Sequence, residues 1–167
     1  MATKKEETKP VEVNELNLDQ KVTLRSIADW ETGFARIADG TGDVRIMPRG
    51  TVRLSRAEII AQVQNGNALI GGVDGVGSHA TLYIDDEPTR IEVGFDTDGK
   101  TQLVFTGNLI AELFKIKDQG KFEKAFTDAI VTRAEKKAAI RTISEMNLND
   151  YNKIRFVEQY TGYNVSK

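Results

Sequence analysis

Between residues 21 and 106 apolar side chains recur mostly at every second position, the spacing of half-buried strands. Val22, Leu24 and Ile27 predict a first strand, closed by a turn over residues 29–33. Residues 34–38 predict a second. Asp39-Gly40-Thr41-Gly42 then predicts a hairpin, because its glycines accept the positive φ of a tight turn. Residues 43–47 predict a third strand before Pro48, with residues 51–54 as a short continuation. Ser55-Arg56-Ala57-Glu58 reads as a capping box, in which Ser55 accepts from the Glu58 amide and the Glu58 carboxylate reaches back. A short helix follows, with Ile59, Ile60 and Val63 as its buried stripe and Asn65-Gly66 as its stop. Beyond a glycine-rich stretch (residues 71–77), strands are expected over residues 79–84, 90–95 and 101–105, joined by turns at 85–89 and 96–100.

After Gly107 the apolar period lengthens to three or four residues, which is helical. Asn108 is the expected cap of a helix carrying Leu109, Ile110, Leu113 and Phe114 on one face. A break near residues 118–120 leads into a longer helix bearing Phe122, Phe126, Ala129, Ile130, Ala134 and Ile140. Asn147 and Asn149 offer a stop and a fresh cap. A last helix with Tyr151, Ile154, Phe156, Val157 and Tyr160 then ends at Gly162. The expected class is α+β: a small antiparallel β-barrel (OB-like) or sandwich with one inserted helix, followed by a C-terminal helical segment. Three regions result: an extended arm over residues 1–20, a β-rich body over 21–106 and a helical region over 107–167. The arm has no sustained apolar period with which to fold alone.

Composition narrows the chemistry. The 167 residues include no cysteine and one histidine, which removes disulfides, thiolate metal sites and thiol catalysis and leaves little for a zinc site or a conventional triad. No apolar run is long enough to span a bilayer, and the amino terminus lacks the layout of a secretory signal, so synthesis inside the cell is expected and no membrane partner. The net charge of −2 divides unevenly, with −2 over residues 1–20, +2 over 21–58, −5 over 59–106 and +3 over 107–167. Six of the seven cations in the second block are arginines (Arg25, Arg36, Arg45, Arg49, Arg53 and Arg56), whose planar forks suit carboxylates, phosphates and protein interfaces. They either pair with the acidic third block or meet a partner.

Four motifs invite a catalytic or ligand reading, and each has a plainer account. Asp96-Thr97-Asp98-Gly99 resembles the start of haloacid-dehalogenase-type phosphotransferases, but Lys100 stands where that family has threonine or valine, and an Asp-Gly turn explains the residues. The glycines at 71–77 fit neither a dinucleotide-binding spacing nor a P-loop, which leaves a mobile loop or a close chain–chain contact. Ser78 and His79, as neighbours on a strand, point to opposite faces and do not form a nucleophile–base pair. The acidic turns at Asp39 and Asp43, Asp85 and Asp86, and Asp96 and Asp98 match no EF-hand spacing. Catalytic residues, metal ligands and cofactors are therefore all expected to be absent.

Residues 30–37 and 43–46 resemble, over some 20 positions, the strand pair of cold-shock and similar OB domains, where aromatics stack on bases and cations follow the backbone. That resemblance implies a single-stranded nucleic-acid site at Trp30, Phe34, Arg36 and Arg45, although the second strand carries no aromatic. In general layout (small, cysteine-free, a β-body between terminal extensions) the chain is similar to accessory virion proteins of tailed bacteriophages, which decorate the capsid or sit at the head–tail junction. The leading expectation is a non-enzymatic assembly subunit, located in a virion and assembled in the host cytoplasm. Arg45, Arg49, Arg53 and Arg56 would meet other structural subunits, in a homo- or hetero-oligomer, with the arm along a neighbour. Nucleic-acid binding is the alternative.

Overall fold

A computed structural model describes residues 15–166. Most of the expected arm, residues 1–14, lies outside the described residues. Residues 15–20 are tied to the body by two backbone bonds, in which the carbonyls of Leu18 and Gln20 accept the amides of Ala57 and Arg56.

The chain forms β1 (Lys21–Ser26), β2 (Thr32–Ala35), β3 (Asp43–Ile46) and β4 (Thr51–Ser55), then α1 (Arg56–Gln64), α2 (Ala68–Gly71), β5 (Leu82–Ile84) and α3 (Glu87–Glu92). Four further helices complete it: α4 (Gly107–Phe114), α5 (Gln119–Ala129), α6 (Arg133–Glu145) and α7 (Tyr151–Thr161). The class is mixed α and β, with the helices gathered after the strands. Strand β1 is central in a three-stranded antiparallel sheet of order β4-β1-β5, while β2 and β3 make a separate antiparallel pair. No closed barrel is found among the described residues. Alternation in β1 buries Val22, Leu24 and Ser26, and the two sheets share a core with Ile46, Leu54, Ile59, Ile70 and Phe95.

Several expected elements come out differently, each for a local reason. Residues 90–95 are not a strand. Asp86 accepts from the Thr89 amide as an N-cap and proline sits in the first turn, so the chain enters α3 instead. Residues 101–105 run without any strand partner among the described residues. The strand expected over 79–84 shrinks to Leu82–Ile84, because His79 takes a left-handed φ of 57° that no strand residue holds. The single long helix expected through residues 122–140 is two. Thr132 and Glu135 form a complete capping box that starts α6 after Ile130 ends α5. Thr106 rather than Asn108 caps α4, and Asp150 rather than Asn149 caps α7. Gly162 ends α7 in the left-handed conformation, as its position implies.

The capping box predicted at the start of α1 is half made. Ser55 Oγ accepts the Glu58 amide at 3.1 Å, but the Glu58 carboxylate turns to the loop after β2. There it accepts the amides of Ile37, Ala38 and Asp39 at 2.8, 2.6 and 2.8 Å. The helical region packs round Phe122, Phe126, Ile143 and Val157. A third, small cluster of Ile27, Ala28, Ala80, Tyr83 and Ala134 welds the sheets to α6.

Candidate partner-binding surface at the junction of sheets and helices

The arginines expected to act together do different things. Arg56 is 2% exposed, which corrects its assignment as a partner-facing residue. Its guanidinium donates to Thr89 Oγ1 at 2.9 Å, to the Asn17 carbonyl at 2.6 Å and to the Asp86 carboxylate at 3.0 Å. Burial pushes Asp86 up, but the Thr89 and Arg56 hydrogen bonds outweigh it and hold the carboxyl below its ordinary pKa. Arg49 leans toward the helices, 3.8 Å from Asp29 and 3.9 Å from Glu145, in a network that Arg141 completes by pairing with Asp29. Arg45 and Arg53 are exposed on β3 and β4, with no ion pair among the described residues.

The residues expected to stack on bases are also separated. Phe34 pairs with Val44 across β2–β3 and packs against the sheet core, whereas Arg45 stands opposite Gly33 on the other face. Arg36 closes the hairpin through its backbone, its amide donating to the Gly42 carbonyl at 2.8 Å. Trp30 packs on the junction cluster and its ring is covered by cations: Arg133 lies 4.8 Å and Lys137 5.7 Å from its centroid.

The acidic turns are likewise occupied within the fold. Asp39 accepts from the Ser55 hydroxyl, Asp86 from Arg56, and Asp96 from Arg90 Nε and the Gln102 amide. Among the described residues no group of three acidic or histidine side chains is placed to hold a metal ion, and no helix is long and apolar enough to cross a membrane.

The glycine stretch is neither a phosphate cradle nor a loose loop. Gly72 and Ser78 form a β-bridge, and Asp74 accepts the amides of Val76 and Ser78 at 2.9 and 3.2 Å. The Ser78 hydroxyl and these amides hold the Asp74 carboxyl below its ordinary pKa against the opposing effect of burial. Gly77 has a φ of 91°, and a Cβ there would sit 2.8 Å from the Phe95 ring and 3.0 Å from Gln102 Nε2. The loop therefore presses onto the sheet core and onto the extended segment 101–105.

Where that loop meets the helices lies a recess of about 150 Å³. Its walls come from the glycine loop (Val76, His79), the extended segment (Gln102, Leu103) and the helical region (Leu109, Ala129). At its edge His79 Nδ1 is 3.0 Å from both oxygens of Glu135, a carboxylate that also accepts the amides of Val131 and Thr132. This contact holds the imidazole in one orientation and assigns the proton to Nδ1. Gln102 is 5% exposed; its Nε2 donates to the Gly77 carbonyl at 3.0 Å, and its Oε1 is buried with no partner. Behind it, burial pushes the Tyr83 phenol up to about 12, opposed by the Phe105 amide on its oxygen and reinforced by Glu135.

At the rim of the recess apolar Leu103 and Val76 stand beside Lys100, Thr101 and Asp128. Leu103 is 65% exposed, with Val104 and Val76 beside it. Apart from the Gln102 and Phe105 amides, segment 101–105 shows no backbone hydrogen bond among the described residues. Sequence reasoning singled out His79 but missed Gln102, Leu103 and Glu135. A glutamine directly before the apolar run Leu103-Val104-Phe105 was the local hint. No family model matches the chain, nor does any curated protein or solved structure.

Proposed function

We propose that the chain is a non-enzymatic assembly subunit whose principal contact surface is the apolar ridge of Val76, Leu103 and Val104 around the junction recess. The observation that carries this reading is the exposure of Leu103 and Val104 on an extended segment, where neither residue shows a backbone hydrogen bond among the described residues. Clustered exposed apolar side chains mark protein contacts, and unpaired extended backbone invites a partner's strand or loop. Arg45 and Arg53 would supply a charged margin, and residues 1–14 a second grip on a neighbour. The setting we propose is an accessory place in a tailed-phage particle, supported only by the small, cysteine-free, arm-plus-body layout. An OB-like arrangement of the body belongs to the same proposal and is supported by antiparallel pairing with α1 inserted before the last strand.

Co-expression with the products of neighbouring genes, followed by sedimentation, tests the reading. Leu103→Asp with Val104→Asp should abolish co-sedimentation while leaving the melting temperature within a few degrees, because both side chains are on the surface. Unaltered co-sedimentation of that variant sinks the proposal. So does single-stranded DNA binding that falls steeply with salt and is lost in Arg45→Ala, which would favour a nucleic-acid role instead.

A further inference from the structure

The outer face of α6 concentrates positive charge. Ala134, Ala138, Ala139, Thr142 and Ile143 are buried on its inner face, which leaves Arg133, Lys136, Lys137 and Arg141 on the other side within little more than two turns. Arg141 pairs with Asp29. Arg133, Lys136 and Lys137 make neither an ion pair nor a side-chain hydrogen bond among the described residues. This placing is unfavourable within the helix. Arg133 opens α6, where the helix dipole favours acidic side chains, and Arg133–Lys137 and Lys137–Arg141 are like charges four residues apart.

What these three cations do touch is aromatic. Arg133 lies 4.8 Å and Lys137 5.7 Å from the Trp30 ring centroid, Lys137 also 5.2 Å from that of Tyr163, and Lys136 4.7 Å from that of Tyr160. Ring contacts hold the charged heads in place without neutralising them, so little side-chain freedom is left to lose when an anion arrives. Carboxylates around the strip are engaged elsewhere: Asp29 and Glu145 by Arg49 and Arg141, Asp128 by Lys124, and buried Glu135 by His79 and the start of α6. Glu31, next to Trp30 in the chain, has no ion pair among the described residues, one negative charge against three positive ones.

The rings also decide the kind of anion. Single-stranded nucleic acid needs open aromatic faces on which its bases stack. Here Trp30 packs on the junction cluster and Tyr160 stacks on Phe156 with centroids 6.0 Å apart, and each also carries a cation, which leaves neither with an open face. Nor does a net charge of −2 draw in a long polyanion. A short acidic segment fits better. Arg133 and Lys137 are about 6 Å apart along the helix axis, close to the roughly 6.6 Å between same-face side chains of an extended chain. We infer that the α6 strip binds an extended acidic segment of a partner protein, with Arg133, Lys136 and Lys137 facing its carboxylates. This surface is separate from the ridge around Leu103, so the inference goes beyond the assembly reading and does not depend on it.

Calorimetric titration of the full chain with a peptide of Glu-Ala repeats, at about 50 mM salt where charge contacts are little screened, tests it. Binding is expected, weakening about fivefold or more at about 200 mM salt. It should shift the emission of Trp30, the only tryptophan, which lies against the strip. Arg133→Gln, Lys136→Gln and Lys137→Gln combined should weaken binding about tenfold, as expected for three exposed ion pairs. Relief of like-charge repulsion should leave the melting temperature of that variant unchanged or slightly higher. Lys115→Gln, Lys117→Gln and Lys121→Gln combined removes the same charge from exposed positions elsewhere and should leave binding nearly unchanged. No binding at low salt, equal losses in the two triple variants, or an unshifted Trp30 emission overturns the inference. Tighter binding of an oligothymidylate of matching charge, lost in the α6 variant, overturns it in favour of nucleic acid. None of these results bears on Leu103, which co-sedimentation tests separately.

Discussion

The sheet half and the helical half of this protein are held together by different physics. The strands are three to six residues long, and their ladders leave the loops between them unsupported. Buried polar groups do that work. Glu58 gathers three amides of the 37–39 loop, Arg56 ties residue 17 to α3, and Asp96 anchors Arg90 and Gln102. The helical half has fewer such groups among the described residues, chiefly Glu135 and Lys153, whose Nζ donates to the Phe114 carbonyl at 2.7 Å, and its centre is a set of rings (Phe114, Phe122, Phe126, Phe156 and Tyr160) with centroids 5.3–6.4 Å apart. Small sheets thus gain definition from directional bonds, and short helices from shape.

The contrast is sharpest under mutation. Phe126→Ala should cost about 3–5 kcal/mol in urea unfolding, because a fully buried ring leaves a cavity that neighbouring rings fill poorly. A loss below about 1 kcal/mol would show that the aromatic cluster is not the helical core. Glu58→Gln keeps the shape but removes the charge from several hydrogen bonds, so a loss of about 1.5–3 kcal/mol is expected, with faster amide exchange confined to residues 37–39. Exchange spread evenly over the molecule would contradict that division of labour.

Acid should separate the halves without mutation. Burial raises Glu58, but the Gln62 side chain and the Ile37, Asp39 and Ala38 amides outweigh it, and its folded pKa is depressed; the Asp86 pKa is depressed too. A depressed carboxylate contributes stability above its unfolded value, near 4 for both residue types, and that contribution is lost as pH falls through the folded value. Amide exchange followed from pH 7 toward 3 should therefore open the sheet half before the helical core. Simultaneous opening would refute the assignment. The smallest effect is expected at the junction network, where Arg141→Ala should cost about 1 kcal/mol, since Glu145 is largely exposed and Asp29 about a third exposed.

Much of the backbone was legible because its signals are local. Alternation marked β1 and β3, Ser55 marked the start of α1, and Gly162 marked the end of α7. The Asp86 cap and the Thr132–Glu135 box were equally local, yet apolar alternation over residues 90–95 and continuous helical spacing over 122–140 overrode them. What Glu58 does was illegible, because its amide partners are about 20 residues earlier in the chain. The recess was hidden for the same reason: the glycine loop, the extended segment and three helices meet there only after folding.

The weld between the halves is built largely from alanines, with Ala28, Ala80 and Ala134 close against Ile27 and Tyr83. Side chains of that size let two backbones draw near but give no interlocking teeth. The seam therefore behaves like a shim, whose thickness fixes the angle between the two lobes. Adding even one methyl group at Ala134, which is fully buried, would act as a wedge in that seam, at a cost of about 1–3 kcal/mol.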